Sequence, residues 1–389
     1  MKRSVPVSEL QFGMYVAELD RPWTDTPFMF QGFILRTREQ LEALKKYCRV
    51  VYVDPERSQV DDDPPPRKVY AQETTVEREF PAASAAYRRS EPVVRDIFAS
   101  VRAGRTLDAE HVRQAVFSMT DSVLRNPDAL LLFSQLREKG EYTHSHALDV
   151  AVYMVAFGRF LQMDRDDIAM LGYLGMLQDI GKVRLPDELL YKRDRLSEAE
   201  FERAKRHVRD SVEILKATPG LPPRLPELAA LHHERQDGSG YPRGLAGRDI
   251  GTIGAIAGIV DTFDALTARR PYAEPVAPSA ALSMLYKWRG AFFDAALVEQ
   301  FIRCIGIFPV GSTVELNSGE VGIVIAQNLA KRLQPRVMVI RDAQGQPLRP
   351  QKLLDLSRGP KAPGGDPYRI RRTLEFGRIQ TSVDELFLQ

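Results

Sequence analysis

Apolar positions between residues 93 and 305 recur at helical spacing, and little in that stretch alternates with the period of two that marks a half-buried strand. Leu148, Val152 and Phe157 mark one apolar helix, Leu171, Leu174 and Leu177 the next, and Ile256, Val260, Phe263 and Leu266 a third. Such stripes face a core. Both ends of the chain read differently. Phe28 to Leu35 has strand-like aromatic and β-branched content, Thr37 caps a helix that runs from Glu39, and Arg49 to Asp54 reads as a buried strand. These predict a small α/β domain over 1–55. The acidic run Asp61-Asp62-Asp63 ends in Pro64-Pro65-Pro66 and cannot build a packed core, so 56–92 reads as a linker. Beyond Phe308 the pattern alternates through Pro309 to Ile325, turns at Asn317-Ser318-Gly319, and resumes at Pro335 to Ile340. A short β appendage over 306–389 is expected, with a loose Pro- and Gly-rich segment from Arg358 to Asp366. The fold class is mainly α, a helical domain over 93–305 between these two ends.

Composition narrows the class without naming a function. The chain has 389 residues, 44% hydrophobic and 27% charged, as in a globular protein of two or three domains. A formal charge of +2 gives no global field towards nucleic acid or membrane. Its two cysteines, Cys48 and Cys304, match no metal spacing and suit a reducing compartment. Lys2 and Arg3 are not followed by an apolar run, and the longest apolar stretch, Ile250 to Val260, is short for a bilayer. The expected location is the cytoplasm.

Five of the six histidines, His144, His146, His207, His232 and His233, lie between residues 144 and 233; only His111 lies outside. A lone histidine is often a satisfied core residue. Several beside aspartates suggest divalent metal, because neutral imidazole and carboxylate are the usual ligands of zinc, iron and manganese. Asp179 could bridge two cations through its two oxygens, and such a pair lowers the pKa of a shared water. Lys182, three residues on, is placed to meet phosphate oxygens. Neighbouring His232 and His233 point about 100° apart on a regular helix, but both can turn inward where a helix begun near Pro226 ends. Asp264 reads as a carboxylate supporting a ligand. His144, two residues from His146, faces away.

The chain from about 130 to 305 resembles the HD-GYP family of cyclic di-GMP phosphodiesterases. The resemblance rests on Tyr142-Thr143 and His146, Asp179-Ile180-Gly181-Lys182, His207, His232-His233-Glu234-Arg235 and Asp237-Gly238-Ser239-Gly240-Tyr241-Pro242, continuing through Val260-Asp261, Asp264-Ala265-Leu266-Thr267 and Arg270-Pro271-Tyr272. It implies a helical HD-type metallohydrolase bundle with iron or manganese at two sites. His146, the residue at 178, Asp179 and Asp261 would hold one ion; Asp179, His207, His232 and His233 would hold the other. Asp179 and Lys182 would be catalytic. Lys182, Arg270, Tyr241 and Gly240 would line the substrate, cyclic di-GMP. A diguanylate cyclase domain is an implied partner at the Gly240-Tyr241-Pro242 loop. Leu10 to Val16, Trp23, Pro27-Phe28 and Val51 to Asp54 resemble a small domain of unknown function that often precedes such modules.

Three positions depart from the family pattern. Gln178 stands where a histidine is expected, and a neutral amide oxygen is a poorer donor to a transition ion, so the first site is weakened. Tyr142 stands where three-metal members carry glutamate. Ala273 stands where a lysine is usual after Arg-Pro-Tyr. Two functions follow: hydrolysis of cyclic di-GMP slowed by Gln178, or a degenerate module that binds cyclic di-GMP or a signalling partner without hydrolysis.

Overall fold

The computed structural model describes residues 2–374 apart from 24–25, 27, 29–31, 36–37, 56, 59–69, 138–140, 193 and 269–273, with no side chain at Arg38 or Glu39. The chain forms two compact units, 1–68 and 69–389. In the first, β1 (Arg3–Pro6), β2 (Tyr15–Leu19), β3 (Phe33–Ile34) and β4 (Val50–Asp54) form an antiparallel sheet in the order β1-β4-β2-β3, with α1 (Arg38–Tyr47) between β3 and β4. Val16, Leu19, Val51 and Val53 from the sheet share a core with Leu44 of the helix. This is the α/β domain the sequence predicts; the proposed Thr37 cap lies outside the described residues.

The second unit departs from expectation at its start. Helix α2 runs from Val76 to Arg102, so it begins inside the segment 56–92 read as a linker and continues past it, and its capping residue is Thr75. Behind the acidic-proline run, Val76, Phe80, Ala83 and Tyr87 recur every three or four residues and are buried, so a helical stripe begins well before residue 93. Pro81 and Pro92 inside it masked the pattern in the sequence. The bundle continues with α3 (Ala109–Arg125), α4 (Pro127–Leu136), α5 (Tyr142–Phe160), α6 (Arg165–Leu177), α7 (Asp187–Leu190), α8 (Glu198–Lys216), α9 (Leu225–Ala229), α10 (Gly251–Thr267), α11 (Pro278–Trp288) and α12 (Ala295–Ile305). A 3-10 turn, Ile180–Arg184, follows α6. No strand falls between residues 140 and 305 among those described.

Helices α5 and α10 are buried on nearly every side, as their all-round apolar composition requires. The stretch Gly247–Thr267 is long and apolar enough to cross a membrane by composition, but 67% of its apolar 18-residue window is buried inside the protein. Helix α8 is amphipathic. Its buried positions His207, Val208, Ser211, Ile214 and Leu215 form one stripe, and a reciprocal pair of hydrogen bonds between Ser197 and Glu200 caps its start.

After α12 comes the expected β region: β5 (Thr313–Leu316), β6 (Val321–Ala326), β7 (Arg336–Arg341), β8 (Pro347–Asp355) and β9 (Ile370–Thr373), antiparallel in the order β8-β7-β6-β5-β9. Ile323, Ile325, Met338 and Ile340 join the core of the helices, while the alternate residues Val324, Val337 and Val339 join a second core with Tyr368. The segment 358–366 is not loose. Ala362 N–H donates to the Asp366 carbonyl (2.8 Å) and Tyr368 N–H to the Pro360 carbonyl (2.8 Å), and Tyr368 anchors it by its buried ring.

Candidate metal centre

Four structural pieces carry the site. His146 lies in the first turns of α5, and Asp261 and Asp264, three apart on α10, share the face opposite it. His146 Nδ1–H donates to Asp264 Oδ2 (2.6 Å), and Nε2 faces Asp179 Oδ2 (3.1 Å) and Asp261 Oδ1 (3.2 Å). Asp264 is thus the supporting carboxylate that the sequence suggests. Gln178 and Asp179 follow the last residue of α6, and the 3-10 turn after them presses on α8. Only glycine allows this approach: a Cβ on Gly181 would lie 2.0 Å from the His207 carbonyl oxygen. Gly181 N–H is held by Ser211 Oγ (2.8 Å), which brings Asp179 under His207.

His207 and His232 are fixed alike. Each Nδ1–H donates to a carbonyl three residues earlier, Ala204 (2.7 Å) and Ala229 (2.8 Å), so each Nε2 is left as an acceptor. Both acceptors face Asp179 Oδ1, at 3.2 and 3.6 Å. Asp179 Oδ1, His207 Nε2 and His232 Nε2 are buried and make no hydrogen bond. Buried acceptors converging on one point are costly unless a cation lies among them. This arrangement fits a divalent metal. The ligand atoms fall into two groups among the described residues: Asp179 with His207, His232 and His233, and His146 with Asp179 and Asp261, each within 4.8 Å of one another. Asp179 belongs to both.

His232 and His233 follow a helix shorter than expected, since α9 ends at Ala229; the irregular turn after it points both rings inward, 4.0 Å apart. Gln178 is fully buried. Its Nε2 donates to Asp261 Oδ1 (3.2 Å), and its Oε1 has no partner. Lys182 Nζ donates to Asp179 Oδ2 (2.7 Å) with about a fifth of its side chain (22%) open to solvent. Burial disfavours its charge, but Asp179, Tyr142 and Asp261 outweigh that and raise its pKa.

Burial also works against a charged His146, yet Tyr142, Asp179, Asp261 and Asp264 hold its pKa well above the imidazole range. Burial raises Asp179, but the Lys182 ammonium and the His146 ring win and keep it well below the carboxylate range. His233 is driven the other way, well below the usual range, by burial and by His232.

Two tyrosines wall the centre. Tyr142 stacks on His146 (5.5 Å, 21°), and Tyr241 lies over His233 (4.7 Å, 32°). Gly240 permits the Tyr241 turn, because a Cβ there would lie 2.4 Å from Arg235 N. His144 packs on Phe98 and pairs with Glu141 (3.5 Å), outside both ligand groups. Arg270 and Ala273 lie outside the described residues.

Two supports have no role in the sequence reading. Buried Glu234 accepts from Arg243 N–H (2.8 Å) and Leu245 N–H (2.9 Å) and pins the loop that carries Tyr241; its place beside His233 was the available signal. Buried Asp149, one turn after His146, accepts from Tyr87 (2.9 Å) and Ser134 (2.8 Å) and ties α5 to α2 and α4. Nothing in the sequence separates Asp149 from a surface aspartate.

Three known families match successive parts of the chain: a domain of unknown function (DUF3391) over 2–112, an HD domain over 131–297, and a KOW domain associated with HD domains over 313–362. The first extends into α2 and α3. The chain is 32% identical to the cyclic di-GMP phosphodiesterase PA4108 of Pseudomonas aeruginosa over 377 residues, which cover 92% of this chain and 90% of that one. It is 39% identical over 144 residues to the cyclic di-GMP phosphodiesterase response regulator RpfG of Xanthomonas campestris, covering 37% and 38% of the two chains. A 3'3'-cGAMP-specific phosphodiesterase of Vibrio cholerae is 35% identical over 173 residues, covering 44% and 33%. Among solved structures, the HDG"Y"P protein Bd1817 of Bdellovibrio bacteriovorus covers 77% of this chain and 98% of its own at 14% identity, with a TM-score of 0.47.

Proposed function

The chain belongs to the HD-GYP family of cyclic di-GMP phosphodiesterases, and on that premise we propose that it hydrolyses the phosphodiester of cyclic di-GMP at the centre built around Asp179. One observation carries the reading: the two oxygens of Asp179 face two separate sets of buried ligand atoms. His207, His232 and His233 on one side and His146 and Asp261 on the other, with Asp179 between, would hold two divalent cations, iron or manganese, which when bound would supply Lewis-acid polarisation of the phosphate and activation of water.

The residues divide the remaining work. Asp179 holds the two halves at a fixed separation. Asp264, Ala204 and Ala229 fix the tautomers of His146, His207 and His232, so each ring presents Nε2 without reorganisation. Lys182 rests on Asp179 and keeps a solvent-facing side, from which its ammonium donates to a non-bridging phosphate oxygen. Tyr241 and Gly240 shape the wall beside His233, and Arg270 is assigned to substrate phosphate by its place in the family motif. Pro242 and Arg243, exposed beyond Tyr241, leave a surface on which a diguanylate cyclase domain docks. We place the reaction in the cytoplasm, where cyclic di-GMP would be met and where the free Cys48 and Cys304 stay reduced.

The test is incubation of anaerobically prepared full-length protein with cyclic di-GMP in iron or manganese, with products separated by chromatography. Wild type is expected to open the cyclic dinucleotide and His232→Ala to leave it intact. If wild type binds cyclic di-GMP without cleaving it, the non-hydrolysing alternative replaces this reading.

A further inference from the structure

The two ligand groups differ in chemistry as well as position. One offers three imidazole nitrogens, from His207, His232 and His233, and one oxygen of Asp179. The other offers one imidazole, His146, with oxygens of Asp179 and Asp261. Gln178 extends that second group only by oxygen. Its amide nitrogen cannot ligate, and it now donates to Asp261 Oδ1 while Oε1 is buried without a partner. Rotation about the terminal torsion, which is soft for an amide, exchanges the two atoms. Whichever way the amide lies, this half provides one nitrogen and otherwise oxygen.

Charge divides the same way. The three-histidine half has a single carboxylate, the shared Asp179. The other half has Asp261 at 3.2 Å from His146 and Asp264 at 2.6 Å behind it. Imidazole-rich sites favour iron and zinc, whereas carboxylate, carbonyl and water ligands suit manganese and magnesium.

Resting on the two-metal reading above, we infer that this chain holds a mixed pair: a borderline ion such as Fe2+ or Zn2+ on His207, His232 and His233, and a harder ion such as Mn2+ or Mg2+ on His146 and Asp261. Gln178 then sets the metal preference of one half and is not simply a lost ligand. A histidine there would make the halves more alike.

The test uses the metal-free full-length chain, dialysed against Zn2+ with a large excess of Mn2+. Bound metal is counted by mass spectrometry, and bound Mn2+ is examined by pulsed paramagnetic resonance. Wild type is expected to retain about one Zn2+ and one Mn2+, with manganese coupled to a single histidine nitrogen. His233→Ala should lose zinc and keep manganese. Gln178→His should raise the zinc-to-manganese ratio by at least about tenfold, the equivalent of about 1.4 kcal/mol. Two Zn2+ in wild type, manganese coupled to several histidines, or an unchanged ratio in a folded Gln178→His chain would overturn the inference but leave the two-metal reading. Uptake of neither ion by wild type would overturn both. Because the nitrogen coupling is read on wild type, misfolding of a variant cannot hide the answer.

Discussion

The two halves of the centre are anchored by different means. His207 and His232 lean on main-chain carbonyls at 2.7 and 2.8 Å, neutral partners that move only if the backbone moves. His146 leans on the carboxylate of Asp264 at 2.6 Å. A carboxylate behind an imidazole orients it and also makes it a stronger donor. The half with an amide at 178 therefore keeps the more basic of the remaining rings, whereas the half with three rings relies on number. One site can thus lose a ligand type and remain a site, because its support comes from charge one layer back.

The largest expected effect attacks what the halves share. Asp179→Asn should lower metal content in both halves and slow hydrolysis by at least about a thousandfold, about 4 kcal/mol of barrier. Loss of metal from only one half would show that the carboxylate is not shared. Next, Asp264→Asn should weaken metal binding about 10- to 100-fold at the His146 half alone. Titration calorimetry that finds both halves weakened would undo the contrast between anchors.

The pH dependence separates the halves further. In the apoprotein the pKa of His146 is held well above the imidazole range, so metal must displace a proton there. Proton and cation compete, so affinity falls as pH falls. It should rise by about tenfold per pH unit up to the elevated pKa of His146 and level off above it. His233, held well below the usual range, is already neutral near pH 7 and releases nothing. Uptake followed from pH 6 to 8 should therefore show the slope set by His146, with no contribution from His233. The smallest effect is expected of Gln178→His, with turnover of cyclic di-GMP rising by about tenfold, about 1.4 kcal/mol. A wild type as fast as the variant would mean that the amide costs the reaction nothing.

Much of this was legible in the sequence because ligand chemistry is local in type even when it is distant in space. Histidine and aspartate in that order pointed to a metal, and helical stripes such as Leu171, Leu174 and Leu177 placed them on a bundle. What stayed hidden depends on packing. The stripe from Val76 was obscured by Pro81 and Pro92, which a helix accepts here, though prolines usually end one. The order of 358–366 rests on Tyr368 finding an apolar slot in the sheet, and its composition carries no sign of that. Asp149 and Glu234 matter through the donors they meet across the fold, which no spacing rule reports.

The two-faced sheet at the end of the chain bears on how this gene can be cut. Ile323, Ile325, Met338 and Ile340 complete the apolar interior of the helices, and Gln327 N–H donates to the buried Asp128 carboxylate at 3.2 Å. A protein ended at Ile305, at the seam its sequence advertises, would bare a wall that these side chains now cover, at a cost of about 1.5–3 kcal/mol for each one left exposed. Such a fragment would be sticky in solution, and low activity in it would report damage to the bundle instead of the absence of a regulator. Any claim that the C-terminal module governs catalysis needs point substitutions on its outer face, with the seam left whole.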